Sequence, residues 1–175
     1  VLEAFKDILK KHPHALLIVV PRHLERFEKV KKIIRDSGLR MASRSKKTEV
    51  VPQTQVLLGD TIGELNFLYS LADIAFVGGS LIDHGGQNLL EPSAQSLPLL
   101  SGPSLRNFSD ISDQLIDKGC LEIVHNSDEL SRKFKHYIES DTDLKKKGKA
   151  AFEVFNSNRG ALQVILSHLK EPLNN

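Results

Sequence analysis

The chain is predicted to fold as one α/β domain, a parallel sheet covered by helices on both sides, and three features predict it. Apolar runs of four to six residues alternate with longer amphipathic segments. Most of these runs are continuous, the pattern of parallel strands buried on both faces. From about residue 127 onward the pattern becomes purely helical.

The elements follow in order. Residues 15–20, Ala-Leu-Leu-Ile-Val-Val, form the strongest strand. Phe27, Val30, Ile33 and Ile34 then carry an i, i+3, i+6, i+7 spacing on an otherwise charged segment, an amphipathic helix with Gly38 as its C-cap. A second strand spans 39–42 and a third 55–58. Ile62, Leu65, Leu68 and Ala72 mark the next helix, with Thr61-x-x-Glu64 as its capping box. Strands at 73–77, 97–100 and 120–124 complete the sheet, and Asn88 or Glu91 caps a helix that holds Pro92 in its first turn. Ser127, followed by Asp128 and Glu129, starts the C-terminal helices. The last of them spans 158–169, and its Leu162, Ile165, Leu166 and Leu169 are expected to be partly exposed if it packs elsewhere in a longer protein. No repeat, low-complexity segment or Pro/Gly linker divides the chain, so residues 1–175 read as a single domain.

Composition narrows the function classes. Apolar residues make up 40% and charged residues 26%, an ordinary soluble globular balance. A chain of this length buries roughly 70% of its unfolded surface and holds a core without staples. The 24 basic and 22 acidic residues leave +2, too balanced to suggest nucleic-acid binding. The single cysteine, Cys120, excludes an internal disulfide or multi-cysteine zinc site and is expected in the core. His125, His136 and His168 are isolated, with no metal-site spacing. The runs Arg44-Ser45-Lys46-Lys47 and Lys145-Lys146-Lys147 read as solvated charge, with contact to anionic lipid heads as the other use. No run approaches the roughly 18 apolar residues that span a bilayer, and no signal peptide is expected. The chain starts at Val1 and its sole methionine is Met41, so it is expected to be a piece of a longer protein.

In an open parallel sheet, ligands bind beyond the carboxyl ends of the strands, so the residues that follow each strand carry the functional argument. After the first strand comes Pro21-Arg22, where a planar guanidinium just before a helix suits a phosphate or, more plainly, a nearby carboxylate. After the third comes Gly59-Asp60-Thr61-Ile62-Gly63-Glu64-Leu65. Inside a helix Gly63 would cost up to about 1 kcal/mol relative to Ala, which points to close approach of another group to the backbone. The richest segment follows the strand at 73–77. It contains Gly78-Gly79-Ser80 and His84-Gly85-Gly86-Gln87-Asn88-Leu89-Leu90-Glu91-Pro92. Glycine pairs let backbone N–H groups turn toward an anion, and a carboxylate such as Glu91 can accept two hydrogen bonds from a ribose diol. Neither the dinucleotide fingerprint nor the P-loop pattern is present, so an ordinary NAD or NTP site is not indicated.

Three motifs in this order and spacing resemble the C-terminal half of the 3-deoxy-D-manno-octulosonic acid (Kdo) transferases, the lipid A glycosyltransferases of Gram-negative bacteria. They are Pro21-Arg22-His23-x-Glu25-Arg26-Phe27, then Gly59-Asp60-Thr61-x-Gly63-Glu64-Leu65, then Phe76-Val77-Gly78-Gly79-Ser80-Leu81 with His84-Gly85-Gly86-x-Asn88-x-x-Glu91-Pro92. The resemblance runs from about residue 15 to 165. It implies the C-terminal half of a GT-B enzyme, a three-layer α/β/α Rossmann-like domain that binds CMP-Kdo. Pro21 and Arg22 match the Pro-Arg pair at CMP. Ile62, Gly63 and Glu64 match a Met-Gly-Glu segment at the cytidine, with Ile62 an apolar departure. Asn88, Leu89, Leu90 and Glu91 match the Asn-x-x-Glu segment, with Glu91 as ribose ligand. Gly79, Ser80, His84, Gly85 and Gly86 become candidate donor-loop contacts, and Gln87 stands where His is common.

The family's catalytic glutamate, acceptor site and membrane anchor belong to the N-terminal domain. The resemblance therefore implies no catalytic residue, metal or cofactor in this chain, and no activity for the domain alone. The whole enzyme is expected to transfer Kdo from CMP-Kdo to a lipid A precursor, with inversion and without a bound metal. It would work at the cytoplasmic face of the inner membrane, while the isolated domain is expected to be soluble. Arg22 and the glycine-rich helix start would stabilise the departing CMP phosphate. Two alternatives stay open from the residues alone: a GT-B donor domain for a UDP- or GDP-sugar, and a non-catalytic module that binds an anion or a protein partner.

Overall fold

The computed structural model describes residues 1–170, with side chains as far as Arg159. It divides into two compact units, Val1–Ala72 with Asn126–His136, and Asp73–His125 with residues 137–170.

In the first unit, helix α1 (Leu2–Leu9) precedes strand β1 (Leu17–Val19). A 3₁₀ turn, Leu24–Arg26, leads into α2 (Phe27–Asp36), followed by β2 (Met41–Ser43), β3 (Val56–Leu58) and α3 (Leu65–Ser70). The strands are parallel in the order β1-β3-β2, with Leu17 and Met41 both level with Val56. Alternation along each strand sorts the side chains to two faces. Leu17, Val19, Met41, Val56 and Leu58 pack with Phe5, Ile8, Ile34 and Phe134 on one side. Ala42 and Leu57, with Ile18, pack with Leu68 of α3 on the other. Helices thus cover both faces, the three-layer arrangement expected. Gly38 closes α2 as foreseen, donating its amide to the Arg35 carbonyl at 2.9 Å. Helix α6 (Ser127–Glu139) is tied to α1 through Asp7, which accepts from Ser131 Oγ at 2.7 Å and Lys135 Nζ at 2.6 Å. Those bonds hold the Asp7 carboxyl well below the usual carboxylate range.

The second unit carries β4 (Ala75–Val77), α4 (Leu90–Ala94), β5 (Leu99–Ser101), a 3₁₀ turn Arg106–Phe108, α5 (Ser109–Asp117), β6 (Leu121–Ile123) and α7 (Asp141–Lys170). Its strands are also parallel, in the order β4-β5-β6. Val77, Leu89, Leu99, Leu100, Leu115 and Val124 are fully or almost fully buried. Cys120 is a core residue, as expected; its thiol donates to the Leu115 carbonyl at 3.2 Å and burial pushes its pKa up. Helix α7 packs along α4 and α5.

Several expectations change. Residues 15–20 read as a strong strand of the kind buried on both faces, but β1 is only half-buried throughout, while β3 is buried at all three positions because it pairs on both sides. The run 145–147 is not uniformly solvated. Lys147 pairs with Glu122, which also accepts the Tyr137 hydroxyl, and its ammonium lies 5.4 Å from the Tyr137 ring centroid. The predicted last helix is the C-terminal part of one helix that starts at Asp141. The side chains of Leu162, Ile165, Leu166 and Leu169 lie outside the described residues. Helices α1 and α5 were not foreseen. Leu2, Phe5, Ile8 and Leu9 have helical spacing, but the segment precedes the first strand and is short enough to pass unread.

Candidate functional site

The predicted site residues divide between the two units, and within each they follow the carboxyl ends of strands. In the first unit, β1 and β3 are paired neighbours, with Val19 level with Leu58 and the Gly59 amide donating to the Val19 carbonyl at 2.9 Å. Pro21-Arg22 and the segment 59–64 therefore leave adjacent strand ends. Pro21 is half-buried and Arg22 exposed.

The segment after β3 is not the capping box its sequence suggested. Helix α3 starts at Leu65, and Glu64 sits before it without a side-chain cap bond. Thr61 Oγ1 instead donates to Glu64 Oε2 at 2.5 Å. Gly63 is also explained differently. A Cβ there would meet nothing within 4 Å, and the residue is needed because φ is +82°, a conformation that costs a side chain. Ile62 is 73% exposed, an apolar group held out on the surface beside that turn.

Arg44, read in the sequence as part of a charge run, turns out to be central here. Its Nε and Nη2 donate to Glu64 Oε2 and Oε1 at 3.0 and 2.8 Å, a bidentate pair. The guanidinium also lies 5.4 Å from the Phe67 ring centroid. The Arg44 bonds, followed by that from Thr61, bring the Glu64 pKa down to about 2. Beside them, Asp60 anchors the chain after β2. It accepts from Ser43 Oγ at 2.7 Å, Ser45 N at 2.8 Å and Ser45 Oγ at 2.6 Å. Burial pushes the Asp60 carboxyl up, but the Ser45 and Ser43 bonds outweigh it and the net shift is downward. The available signal was the Ser43-Arg44-Ser45 run directly beyond a strand.

In the second unit, the residues after β4 form a loop fastened from below by the chain after β5. Ser80 is fully buried; its hydroxyl donates to the Val77 carbonyl at 2.8 Å and accepts the Gly102 amide at 2.8 Å. Gly85 donates to Ser104 Oγ at 2.9 Å, and Gly86 to the Gly79 carbonyl at 3.0 Å. Asp83 receives the Arg106 guanidinium, and His84 is exposed. Two of the glycine amides expected to face an anion are thus bonded within the chain. Asn88 does act at the start of α4: its Oδ1 accepts the Leu90 amide at 3.0 Å, and its Nδ2 donates to Glu91 Oε1 at 2.9 Å. Leu89 is fully buried; Leu90 and Glu91 are half-buried. An Asp-x-Asp pair, Asp141 and Asp143, lies in the first turn of α7, where Asp141 holds Lys145 at 2.6 Å. Among the described residues, no helix is long and apolar enough to cross a membrane.

No model of a known protein family matches the chain. It is 40% identical over 171 residues to the 3-deoxy-D-manno-octulosonic acid transferase of Haemophilus influenzae, covering 97% of this chain and 40% of that protein. It is 34% identical over 147 residues to the enzyme of the same name from Aquifex aeolicus, covering 83% of this chain and 40% of that one. The chain therefore spans about 40% of the length of these curated relatives. Among solved structures it is similar to the C-terminal CMP-Kdo binding domain of WaaA from Acinetobacter baumannii, with a TM-score of 0.83 and 34% identity, covering 88% of this chain and 80% of that one.

Proposed function

This chain belongs to the Kdo transferase family, and from that premise we propose that it is the half of such an enzyme that binds the CMP-Kdo donor. The observation that carries the reading is the likeness, over 80% of its length, to a domain named for CMP-Kdo binding. Arg22, exposed at the end of β1, takes the CMP phosphate with Pro21 beside it. Ile62, Gly63 and Glu64 meet the cytidine: the exposed Ile62 offers an apolar surface to a base, and the open space over Gly63 lets a ligand approach the backbone. Asn88, Leu89, Leu90 and Glu91 form the other segment. Asn88 Nδ2 fixes the orientation of the Glu91 carboxylate, which accepts from the ribose diol. Of the loop candidates, His84 is exposed, and Gly79, Ser80, Gly85 and Gly86 shape the loop that presents it.

In the whole enzyme, the acceptor site, catalytic base and membrane association belong to the part outside this chain. That enzyme transfers Kdo to a lipid A precursor with inversion at the inner membrane, and this chain alone does not turn over. Preorganised donors such as Arg22 stabilise the negative charge that develops on the departing CMP.

Thermal unfolding of the chain with CMP, UMP, UDP and inorganic phosphate tests the proposal. A ligand at 100 times its dissociation constant stabilises a fold by about 2.7 kcal/mol. CMP is expected to raise the melting temperature more than UMP or phosphate does. A preference for UDP, or silence toward all four at millimolar concentration, would overturn it.

A further inference from the structure

Three segments of the first unit converge on the Arg44–Glu64 pair. The chain after β2 supplies Arg44, the chain after β3 supplies Thr61, and α3 supplies Phe67 beneath the guanidinium. Both carboxylate oxygens are engaged, Oε1 by Arg44 and Oε2 by Arg44 and Thr61. Arg44 and Glu64 are 42% and 32% exposed, and an ion pair so open to solvent adds little to stability. What such a pair does well is remove rotamer freedom from the carboxylate before a ligand arrives, lowering the ordering cost of binding. Arg44, Thr61, Glu64 and Phe67 also line a groove of about 570 Å³, whose lining does not include Arg22, Ile62 or Gly63.

We infer that Arg44 is a positioning residue that holds the Glu64 carboxylate in place for the nucleoside part of the donor. The inference rests on the donor-site reading given above. Arg44 touches the ligand through Glu64 alone, and its planar fork, not merely its charge, is what the role needs.

A double-mutant cycle on CMP affinity, measured by calorimetric titration of this chain, tests it. Arg44→Ala is expected to weaken CMP about tenfold, and Arg44→Lys to recover only part of that loss. On a Glu64→Ala background, Arg44→Ala should change the affinity by less than about twofold, because the group it positions is gone. Ligand-free melting of the single variants should stay close to that of the unaltered chain. If Arg44→Ala lowers it, Arg44→Gln replaces it in the same cycle. Equal losses on both backgrounds would overturn the inference, because Arg44 would then contact the donor itself. An unchanged affinity would overturn it too, leaving the pair a surface ion pair only. Silence of the unaltered chain toward CMP would instead remove the donor-site reading, and this inference with it.

Discussion

The segments that follow β3 and β4 both leave a buried parallel strand, both carry glycine and both lead into a short helix, yet they are held by opposite means. After β3 the fastening is charged and exposed: Arg44 on Glu64, and Ser43 and Ser45 on Asp60. After β4 it is packed and buried: the Ser80 hydroxyl spans Val77 and Gly102, the Gly85 amide bonds to Ser104, and the Gly86 amide to the Gly79 carbonyl. The difference separates two kinds of sensitivity. Side chains of the first segment can change with little harm to the fold, whereas in the second the backbone itself is the structure.

The largest expected effect tests the packed segment. A Cβ on Gly102 would lie 2.4 Å from the Ser80 carbonyl carbon and oxygen and 2.5 Å from the Leu81 amide nitrogen, all of them backbone atoms that cannot swing aside. Gly102→Ala is expected to destabilise the chain by about 3 kcal/mol or more, read from the urea midpoint. A normal midpoint combined with lost CMP binding would break the contrast, because the β4 segment would then be serving the ligand and not the fold.

The same contrast explains what could be read from the sequence. Each parallel strand was visible because a run such as Ala75-Phe76-Val77 must be apolar wherever both faces are covered. Burial within the sheet was not visible, since β3 owes its burial to having a partner on each side, and pairing order leaves no mark on local composition. The proposed site segments were picked out because they follow strand ends; Asn88 or Glu91 was expected as the cap of α4, whose N-cap is Leu89, with Asn88 Oδ1 accepting the Leu90 amide. Arg44 was hidden among basic neighbours because its partner, Glu64, is 20 residues away in sequence. Gly63 was read as a point of close approach, and its positive φ adds a backbone reason that composition alone does not reveal.

A smaller effect sharpens the charged side of the comparison. The Glu64 pKa falls to about 2 in the folded chain, against about 4.3 for an unperturbed glutamate. A carboxyl depressed on folding contributes stability that is fully present above its unfolded pKa and is lost as pH falls through its folded pKa. The Glu64 contribution should therefore fade between about pH 4.5 and pH 2. Asp60 and Asp7, also shifted downward, act in the same sense. Arg44→Ala should slightly flatten the acid limb of a plot of urea midpoint against pH, by no more than so exposed a pair allows, and added salt should do the same in the unaltered chain. An acid limb identical in both proteins would mean that the pair contributes nothing to the folded state.

The smallest expected change in stability carries the most information about function. Gly63 and Gly85 share nearly the same backbone angle, φ +82° and +77°, but differ in surroundings. A Cβ at Gly85 would lie 2.4 Å from the Asn107 side-chain nitrogen, while one at Gly63 would meet nothing within 4 Å. Asparagine tolerates the left-handed region better than other side chains do. Gly63→Asn should thus cost no more than about 1 kcal/mol, the strain of the left-handed backbone alone, and Gly85→Asn should cost clearly more because a clash is added. If the space over Gly63 belongs to the cytidine, Gly63→Asn will nonetheless weaken CMP binding, because the new side chain occupies it. A chain that keeps both its stability and its CMP affinity after Gly63→Asn would show that this glycine serves the turn alone, and the cytidine would then have to be held by Ile62 and Glu64 without backbone approach.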